Sequence, residues 1–494
     1  MSNSSVGSIA KSDLLPTTSR GNDRLLLGIV LGVVTFWLFA QTTLNINSAM
    51  RKDLGIDAGW MNIAVSITSL FSGIFIVVLG NLGDRIGRVK LTLAGTLLNI
   101  VGSLLIAVTP SGTAAFLISG RIIQGLSAAC IMPNTLAMVK SYWEGAGRQR
   151  AVSFWSMGSW GGSGAASLFG GAIASTIGWR YIFWMSIAIS IISFFLIMRT
   201  PEDNIKQPHS KEAFDWTGLI SFIIALLCLN VFIGQGAGLG WTNPITLALF
   251  AGAVIFGILF FRIETTKTNS FVDLGLFKNP TYMGATLSNF LLNGSAGTIM
   301  VALSLWQQGA SKTPLQAGYL TLGYLVAILV VIRYGEKLLR LWGPRKPMII
   351  GIAITALGIL LTAQAWVYAW EYGILAFIGF TFYGIGLGIY ATPSTDAALS
   401  SVPTEKAGSA AGIYKMASSL GSAFGVAISA AIYSGLTQGA MKWTIADPIM
   451  VGRTDNISVR FAAMVALAFN IIMVLIALIA TMATVPSGKQ NEVE

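Results

Sequence analysis

Apolar runs of about 20 residues, the length that carries an α-helix across a bilayer core, recur from one end of this chain to the other. Fourteen can be placed, near 25–49, 60–82, 91–109, 114–140, 151–175, 181–198, 217–236, 244–263, 282–306, 316–334, 347–366, 370–398, 408–434 and 459–484, which gives spans 1 to 14 in chain order. Only 10% of the 494 residues are charged and 54% are hydrophobic, whereas a soluble domain is about 25% charged. The chain therefore reads as an all-α polytopic membrane protein. Residues 1–23 are polar and hold no apolar core, so no cleaved signal peptide is expected. Cys130 and Cys228 both fall inside apolar runs and read as buried thiols, not a disulfide framework. His209 is the only histidine, which argues against a histidine-based metal site or catalytic relay.

The formal charge of +11 would point to nucleic acid in a soluble protein. Here it has a topological explanation. Fourteen spans return both termini to one side. With the N-terminus inside, 22 Lys and Arg fall in cytoplasmic segments and 7 in external ones, while Arg121 and Lys415 lie within spans. That asymmetry is the positive-inside pattern. The expected location is the inner (cytoplasmic) membrane, multi-pass, with both termini cytoplasmic, a lipid bilayer as surroundings and no nucleic acid partner.

The chain also reads as a duplication with an insert. Ser153, Met157 and Gly162 correspond to Gly412, Met416 and Gly421 at an offset of 259 residues, and Pro133 and Thr135 to Pro393 and Thr395. Gly80–Arg88 has a degraded counterpart beginning at Gly335-Glu336. Repeated six-helix halves are a known way to build transporters, with substrate bound between them near mid-membrane. The expected organisation is a cytoplasmic tail at 1–23, a six-helix bundle at 24–199, linkers and an inserted helix pair at 200–281, a second six-helix bundle at 282–486, and a tail at 487–494.

Four motifs then give a resemblance. Gly80-x-Leu82-Gly83-Asp84-Arg85-x-Gly87-Arg88-x-Lys90 resembles the helix 2–3 signature of the major facilitator superfamily. Leu117-x3-Arg121-x2-Gln124-Gly125 resembles its helix 4 signature, and Ala166-Ser167-x2-Gly170-Gly171 its helix 5 antiporter signature, with Ala-Ser in place of Gly-Pro. Phe214-Asp215-Trp216-Thr217-Gly218 resembles the start of the inserted pair in the fourteen-helix drug:proton antiporters. The pattern is most like the staphylococcal quinolone-efflux type and covers the chain past residue 24. The resemblance implies a major facilitator fold of two six-helix bundles plus two inserted transmembrane helices.

The charged cassette at 80–90 has a physical rationale as a gate latch. Gly83 and Gly87 allow close backbone approach and tight turning. Asp84 suits the positive N-terminal end of a neighbouring helix, which the resemblance identifies as span 13, starting near Lys406. Arg85, Arg88 and Lys90 would add ion pairs on the closed side, and Glu336 is the gating acid of the degraded copy. An ordinary positive-inside loop is the plainer reading. Arg121, about one third of the way into span 4, carries a charge that costs about 2.5–3.5 kcal/mol to insert. The resemblance ties it to proton coupling. The alternative is a structural arginine satisfied by backbone carbonyls. Gln124 lies on roughly the same face and is expected along the same path.

Of the 20 Asp and Glu residues, Asp396 alone lies clearly inside a span. Many relatives carry an aspartate in span 1 where Ala40 stands here, which argues against proton carriage there. Asp396 near the end of span 12 and Lys415 near the start of span 13 have similar depth and are expected to pair, either as a proton-coupled switch or as a static bridge. The substrate cavity is expected along Trp37, Gln41 and Asn45, which share one face of span 1, and along Asn289 and Asn293 on span 9. Trp155, Trp160, Tyr383 and Tyr390 add aromatic surface. Helix packing is the competing reading for each of these residues. Glycines including Gly170, Gly171, Gly421 and Gly425 indicate close helix contact.

A cavity poor in acid suits zwitterionic, neutral or monocationic amphiphiles. The resemblance names quinolones, quaternary ammonium compounds and dyes. The expected function is proton-coupled multidrug efflux by alternating access. The alternatives are a specific exporter of an endogenous metabolite, lipid or siderophore, and a non-transporting membrane sensor of the same fold. No Gly-x4-Gly-Lys-Ser/Thr loop is present, which disfavours an ATP-driven pump. No enzyme activity, metal or cofactor is expected, and the chain is expected to work as a monomer driven by the proton gradient.

Overall fold

The computed structural model describes residues 21–143, 145–202, 215–267, 272–367, 369–403, 407–438 and 455–487. Among the described residues all long elements are helical. They are α1 (Asp23–Leu54), α2 (Ala58–Ile86), α3 (Arg88–Ala107), α4 (Ala115–Tyr142), α5 (145–176), α6 (Arg180–Ile197), α7 (Trp216–Leu239), α8 (Pro244–Thr266), α9 (280–309), α10 (Pro314–Trp342), α11 (Arg345–Thr362), α12 (Ala369–Ser400), α13 (Ala407–Gln438) and α14 (Ile457–Thr484). Among the described residues twelve are long and apolar enough to cross a membrane, α1 and α10 of them through short π or 3₁₀ turns. The other two, α5 and α9, are interrupted, the first by a π-turn at Met157–Gly161 and the second between Gly294 and Gly297. Every expected span thus has a helix.

Local signals in the sequence set several of the boundaries. Asn243-Pro244 and Asn279-Pro280 each place an amide N-cap before a proline in the first turn, where its missing N–H is not needed. Thr313 and Gln316 form a reciprocal capping box at the start of α10. Gly55, at φ +64, ends α1.

Helices α1 to α6 pack as one bundle and α9 to α14 as another. Glycines bring the helices together as the sequence pattern predicts. A Cβ at Gly421 would lie 2.0 Å from the carbonyl oxygen of Phe290, and one at Gly425 would lie 2.0 Å from that of Gly294, so α13 touches the α9 backbone where α9 breaks. Helix α7 lies against both α2 and α13, while α8 packs mainly on α7. Only 6% of the α8 span is covered by protein, so α8 is the lipid-facing member of the inserted pair. Ser66 of α2 and Asn230 of α7 bond at 3.1 Å.

The inserted pair is pinned at one end. Asp215 caps α7, accepting from Gly218 N at 3.0 Å, Thr217 Oγ1 at 2.8 Å and Lys267 Nζ at 2.5 Å. Burial works to raise its pKa, but the Lys267 ammonium and the Gly218 and Thr217 donors outweigh it and hold the carboxyl below the usual range. Cys130 is buried, Cys228 is half-buried, and both are free thiols.

Candidate transport pathway

Alternating loops define two ends of the molecule. The latch end carries Gly87, Trp143 and Gly343, and the far end carries Gly55, Gly112 and Gly309. Among the described residues, the hydrogen bonds that join the two bundles all lie toward the far end. Asn45 Nδ2 donates to Pro314 O at 3.0 Å, Gln307 Nε2 donates to Asn45 Oδ1 at 3.0 Å, Gln308 Nε2 to Ser48 Oγ at 3.3 Å, Leu315 N to Ser175 Oγ at 3.2 Å, and Asn62 Nδ2 to Ser434 Oγ at 3.0 Å. A Cβ at Gly171 would lie 2.3 Å from Pro314 O. The far end is therefore zipped shut, whereas toward the latch end the bundles meet through the packing of α2 on α13, Gly412 over Val77 and Gly73 under Ser419 and Leu420.

Arg121 is buried and its guanidinium is fully engaged. Nε donates to Ala64 O at 2.9 Å, Nη1 to Ala40 O at 2.8 Å and to Gln124 Oε1 at 3.0 Å, and Nη2 to Thr43 Oγ1 at 3.0 Å. The local fold of α1 explains this. A π-turn at Thr35–Phe39 followed by a 3₁₀ turn at Ala40–Thr42 disturbs the helical ladder, and Arg121 takes the Ala40 carbonyl there. Among the described residues no carboxylate touches it. Its contacts are those the structural alternative expected, and they tie α1, α2 and α4 together. Gln124 is corrected with it. Gln124 does not line a path, being buried between Arg121 and Ser103 Oγ, to which it donates at 3.1 Å.

Packing likewise claims several residues expected in the substrate cavity. Asn45 is buried, and its amide donates to Ser167 O at 2.5 Å as well as across to the second bundle. Asn289 is buried, donating to Tyr414 O at 3.0 Å and Ser418 Oγ at 2.6 Å, and it accepts from Asn293 Nδ2 at 2.9 Å. Tyr383 is buried with its hydroxyl 3.0 Å from Ser295 Oγ. Tyr390 is buried in a chain of hydroxyls, 2.7 Å from Ser288 Oγ and 2.8 Å from Ser394 Oγ, which in turn lies 2.8 Å from Tyr414 OH. These four side chains hold helices together because an unpaired polar group in a membrane bundle is costly. Trp37, Gln41, Trp155 and Asn293 remain part-exposed. Trp155 Nε1 donates to Thr135 Oγ1 at 3.0 Å, whereas the indole N–H of Trp37 has no partner. The side chain of Trp160 lies outside the described residues.

The expected Asp396–Lys415 pair is not formed. Both side chains are exposed and neither makes an ion pair among the described residues. The difference lies in the direction each residue takes: similar depth in the membrane does not place two side chains on facing sides of their helices.

At the latch, Asp84 Oδ1 accepts from Arg88 Nε at 2.7 Å. The start of span 13 near Lys406, its expected neighbour, lies outside the described residues. Gly83 rests on Asn134 of α4, and Gly87 has φ +120, which favours glycine. Arg85 and Lys90 are exposed, and Glu336 pairs with Arg340. A carboxylate does sit at a helix N-terminus here, but it is Glu202. It accepts from Val89 N at 3.1 Å and Lys90 N at 2.8 Å, capping α3. Nothing in its spacing singled out Glu202, because the contact spans more than a hundred residues of sequence. Arg460 near the start of α14 is buried and donates to Ala365 O and Trp366 O, both at 2.7 Å.

The family model described as Major Facilitator Superfamily matches residues 29–286 and 285–493. The chain belongs to the Major Facilitator Superfamily. It is a membrane transporter, not an enzyme. It is 49% identical over 477 residues to the quinolone resistance protein NorB of Staphylococcus aureus strain MRSA252, covering 97% of this chain and 98% of that protein. The NorB of strain COL matches at 49% over 474 residues, 96% of this chain and 98% of that protein. Among solved structures, the nucleoside transporter NupG aligns with TM-score 0.62 at 13% identity, over 94% of this chain and 100% of that one. The POT family transporter PepTSo aligns with TM-score 0.63 at 14% identity, over 93% of this chain and 97% of that one. At such identities the solved structures establish the shared fold alone.

Proposed function

We propose that this chain exports amphipathic drugs, quinolones among them, from the cytoplasm by alternating access coupled to proton entry. The observation that carries the proposal is the near-full-length match to a protein named for quinolone resistance. The hydrogen-bonded far end is consistent with one state of a rocking transporter. In this reading the latch end faces the cytoplasm of a bacterial cell, both termini lie on that side, and the state described is the one that loads substrate. The excess of Lys and Arg on the latch end supports that orientation.

Proton coupling falls to an embedded or gating acid, since a guanidinium does not deprotonate in proteins. Asp396, exposed and without an ion pair, is the acid we assign. Arg121 serves by position, holding the broken part of α1 to α2 and α4. Asp84, with Arg85, Arg88 and Lys90, gates the latch end.

The test is drug tolerance and dye efflux in a bacterium stripped of its own pumps. Expression of the chain is expected to raise tolerance to norfloxacin and ethidium, and a protonophore is expected to abolish the gain. Unchanged tolerance to every compound, with the protein present in the membrane, would sink the reading. For the coupling role, Asp396→Asn in vesicles of controlled pH is expected to lose proton-dependent transport while still binding drug. Full proton-driven transport by that variant would move the role elsewhere.

A further inference from the structure

Helix α13 is surrounded by α2, α7, α9, α12 and α14. The side of its middle that these helices leave uncovered lies between its α2 and α9 faces, toward the space between the bundles, and there Lys415 is exposed. Gly412 faces α2, where a Cβ would meet Val77 at 3.2 Å, and Ser419 and Leu420 meet Gly73 of α2. Tyr414 and Ser418 face the other way, bonded to Asn289 of α9, and Tyr414 also to Ser394 of α12. At 3.6 residues per turn, Lys415 falls between those two faces. It is exposed, and half-exposed Ala411, Ser418 and Ser422 flank it along the helix.

Lys415 contrasts with the other embedded cation. Arg121 has its donors filled by carbonyls and hydroxyls. Lys415 makes neither a hydrogen bond nor an ion pair among the described residues. A bare ammonium within a membrane bundle is unfavourable and is retained where it lines a watery path or meets a ligand. The part-exposed Asn293 of α9, bonded to Asn289 and through it to Ser418 beside Lys415, is neutral. The gap therefore presents a cation, amides and hydroxyls.

We propose that Lys415 is the anion subsite of the transport cavity, taking the carboxylate of an amphipathic substrate in a charge-assisted hydrogen bond. This rests on the exporter reading and narrows it. Compounds that pair an aromatic body with a carboxylate are bound more tightly than purely cationic amphiphiles such as ethidium, which remain weaker substrates. The carboxylate brings the counter-charge that Lys415 does not find among the described residues.

The test compares norfloxacin, which carries a carboxylate, with its ethyl ester on the purified full-length protein. Binding is read by quenching of tryptophan fluorescence, and transport is read separately in proteoliposomes. Wild-type protein is expected to bind the acid more tightly than the ester. Lys415→Gln is expected to weaken the acid by about tenfold, as loss of one charge-assisted contact would, and to leave the ester unchanged. Lys415→Arg is expected to keep the preference for the acid, which separates a charge requirement from a folding defect. Equal affinity of the wild type for the two probes, or an equal loss for both in Lys415→Gln, would overturn the subsite. If binding follows the expected pattern but no proton gradient drives uptake of either probe, the exporter reading fails while the subsite stands.

Discussion

Gly83-Asp84 near the end of α2 and Gly335-Glu336 in α10 are the glycine–acid pairs of the two related cassettes, Gly335 standing in the place of Gly80, and they differ in what surrounds them. In both, the glycine lies in a helix crossing and the acid bonds an arginine four residues on, Asp84 with Arg88 and Glu336 with Arg340. The surroundings differ. Asp84 and Arg88 are 31% and 15% exposed, whereas Glu336 and Arg340 are 49% and 76% exposed. Conversely, Gly83 meets the side chain of Asn134, while Gly335 meets the backbone of α12. The first copy gives its charges weight by shielding them. The second keeps the tight crossing and leaves its charges in water, where an ion pair contributes about 0–1 kcal/mol. A motif strong in sequence is therefore not the copy with the stricter steric demand.

The sharpest break of that comparison is steric. A Cβ at position 335 would lie 2.7 Å from Gly388 O and 2.9 Å from Ile389 O, and backbone of a packed helix cannot turn aside. Gly335→Ala is expected to destabilise by about 1–3 kcal/mol, the usual scale of overpacking. A Cβ at position 83 would meet Asn134 Oδ1, the far end of a side chain that also donates to Cys130 O at 2.7 Å. Gly83→Ala is then expected to cost about 1 kcal/mol, the scale of one disturbed hydrogen bond. Thermal melting of both variants in detergent checks the order. A lower midpoint for Gly83→Ala than for Gly335→Ala would reverse the assignment of steric roles.

Next in size is the turn after each helix. Gly87 and Gly343 have φ +120 and +73. An alanine in such backbone costs about 1–2 kcal/mol. At position 87 its Cβ would also lie 2.4 Å from Glu202 Oε1, so Gly87→Ala is expected to melt lower than Gly343→Ala. It should also raise proteolysis of the chain following Pro201. Equal melting points would show that Glu202 yields freely.

The charges separate the copies in function more than in stability. Asp84→Asn is expected to cost about 1 kcal/mol or less in stability yet to slow drug export severalfold, whereas Glu336→Gln changes neither. Export rates in proteoliposomes at matched protein levels check this. A Glu336→Gln variant as slow as Asp84→Asn would make the two latches functional equals.

The fourteen spans were legible because about 20 apolar residues in a row have few other uses. The glycine crossings were legible too, since small residues at helical spacing in lipid read as contact. The interruption of α9 was not, because it answers to the approach of Gly421 and Gly425 from α13, a contact no local pattern records. The polar side chains misled for a related reason. Asn45, Asn289 and Tyr390 carry the same periodic signal whether they face water or a neighbouring helix, and the structure gives each a partner. Lys415 was legible as an embedded charge, but its choice of the gap over Asp396 depends on how α12 and α13 are rotated. Sequence shows that a buried charge needs a solution and is silent on which solution the packing allows.

The smallest effect tests the part of the first latch that has no counterpart in the second. Glu202 gives two carboxylate oxygens to the free N–H groups of Val89 and Lys90 at the start of α3. At the matching start of α11, Pro344 precedes Arg345 and makes no side-chain cap. A carboxylate in the first turn interacts with the helix dipole by about 0.3–1 kcal/mol at low ionic strength, and salt screens it. Glu202→Gln retains one acceptor oxygen and removes the charge. It is expected to lower the melting midpoint by roughly 1 °C in dilute buffer, with the gap closing as salt is raised. A deficit that persists unchanged at high salt would mean that Glu202 acts through shape and hydrogen bonding alone. The first latch would then owe its fixed geometry to Gly87 and the Asp84–Arg88 pair.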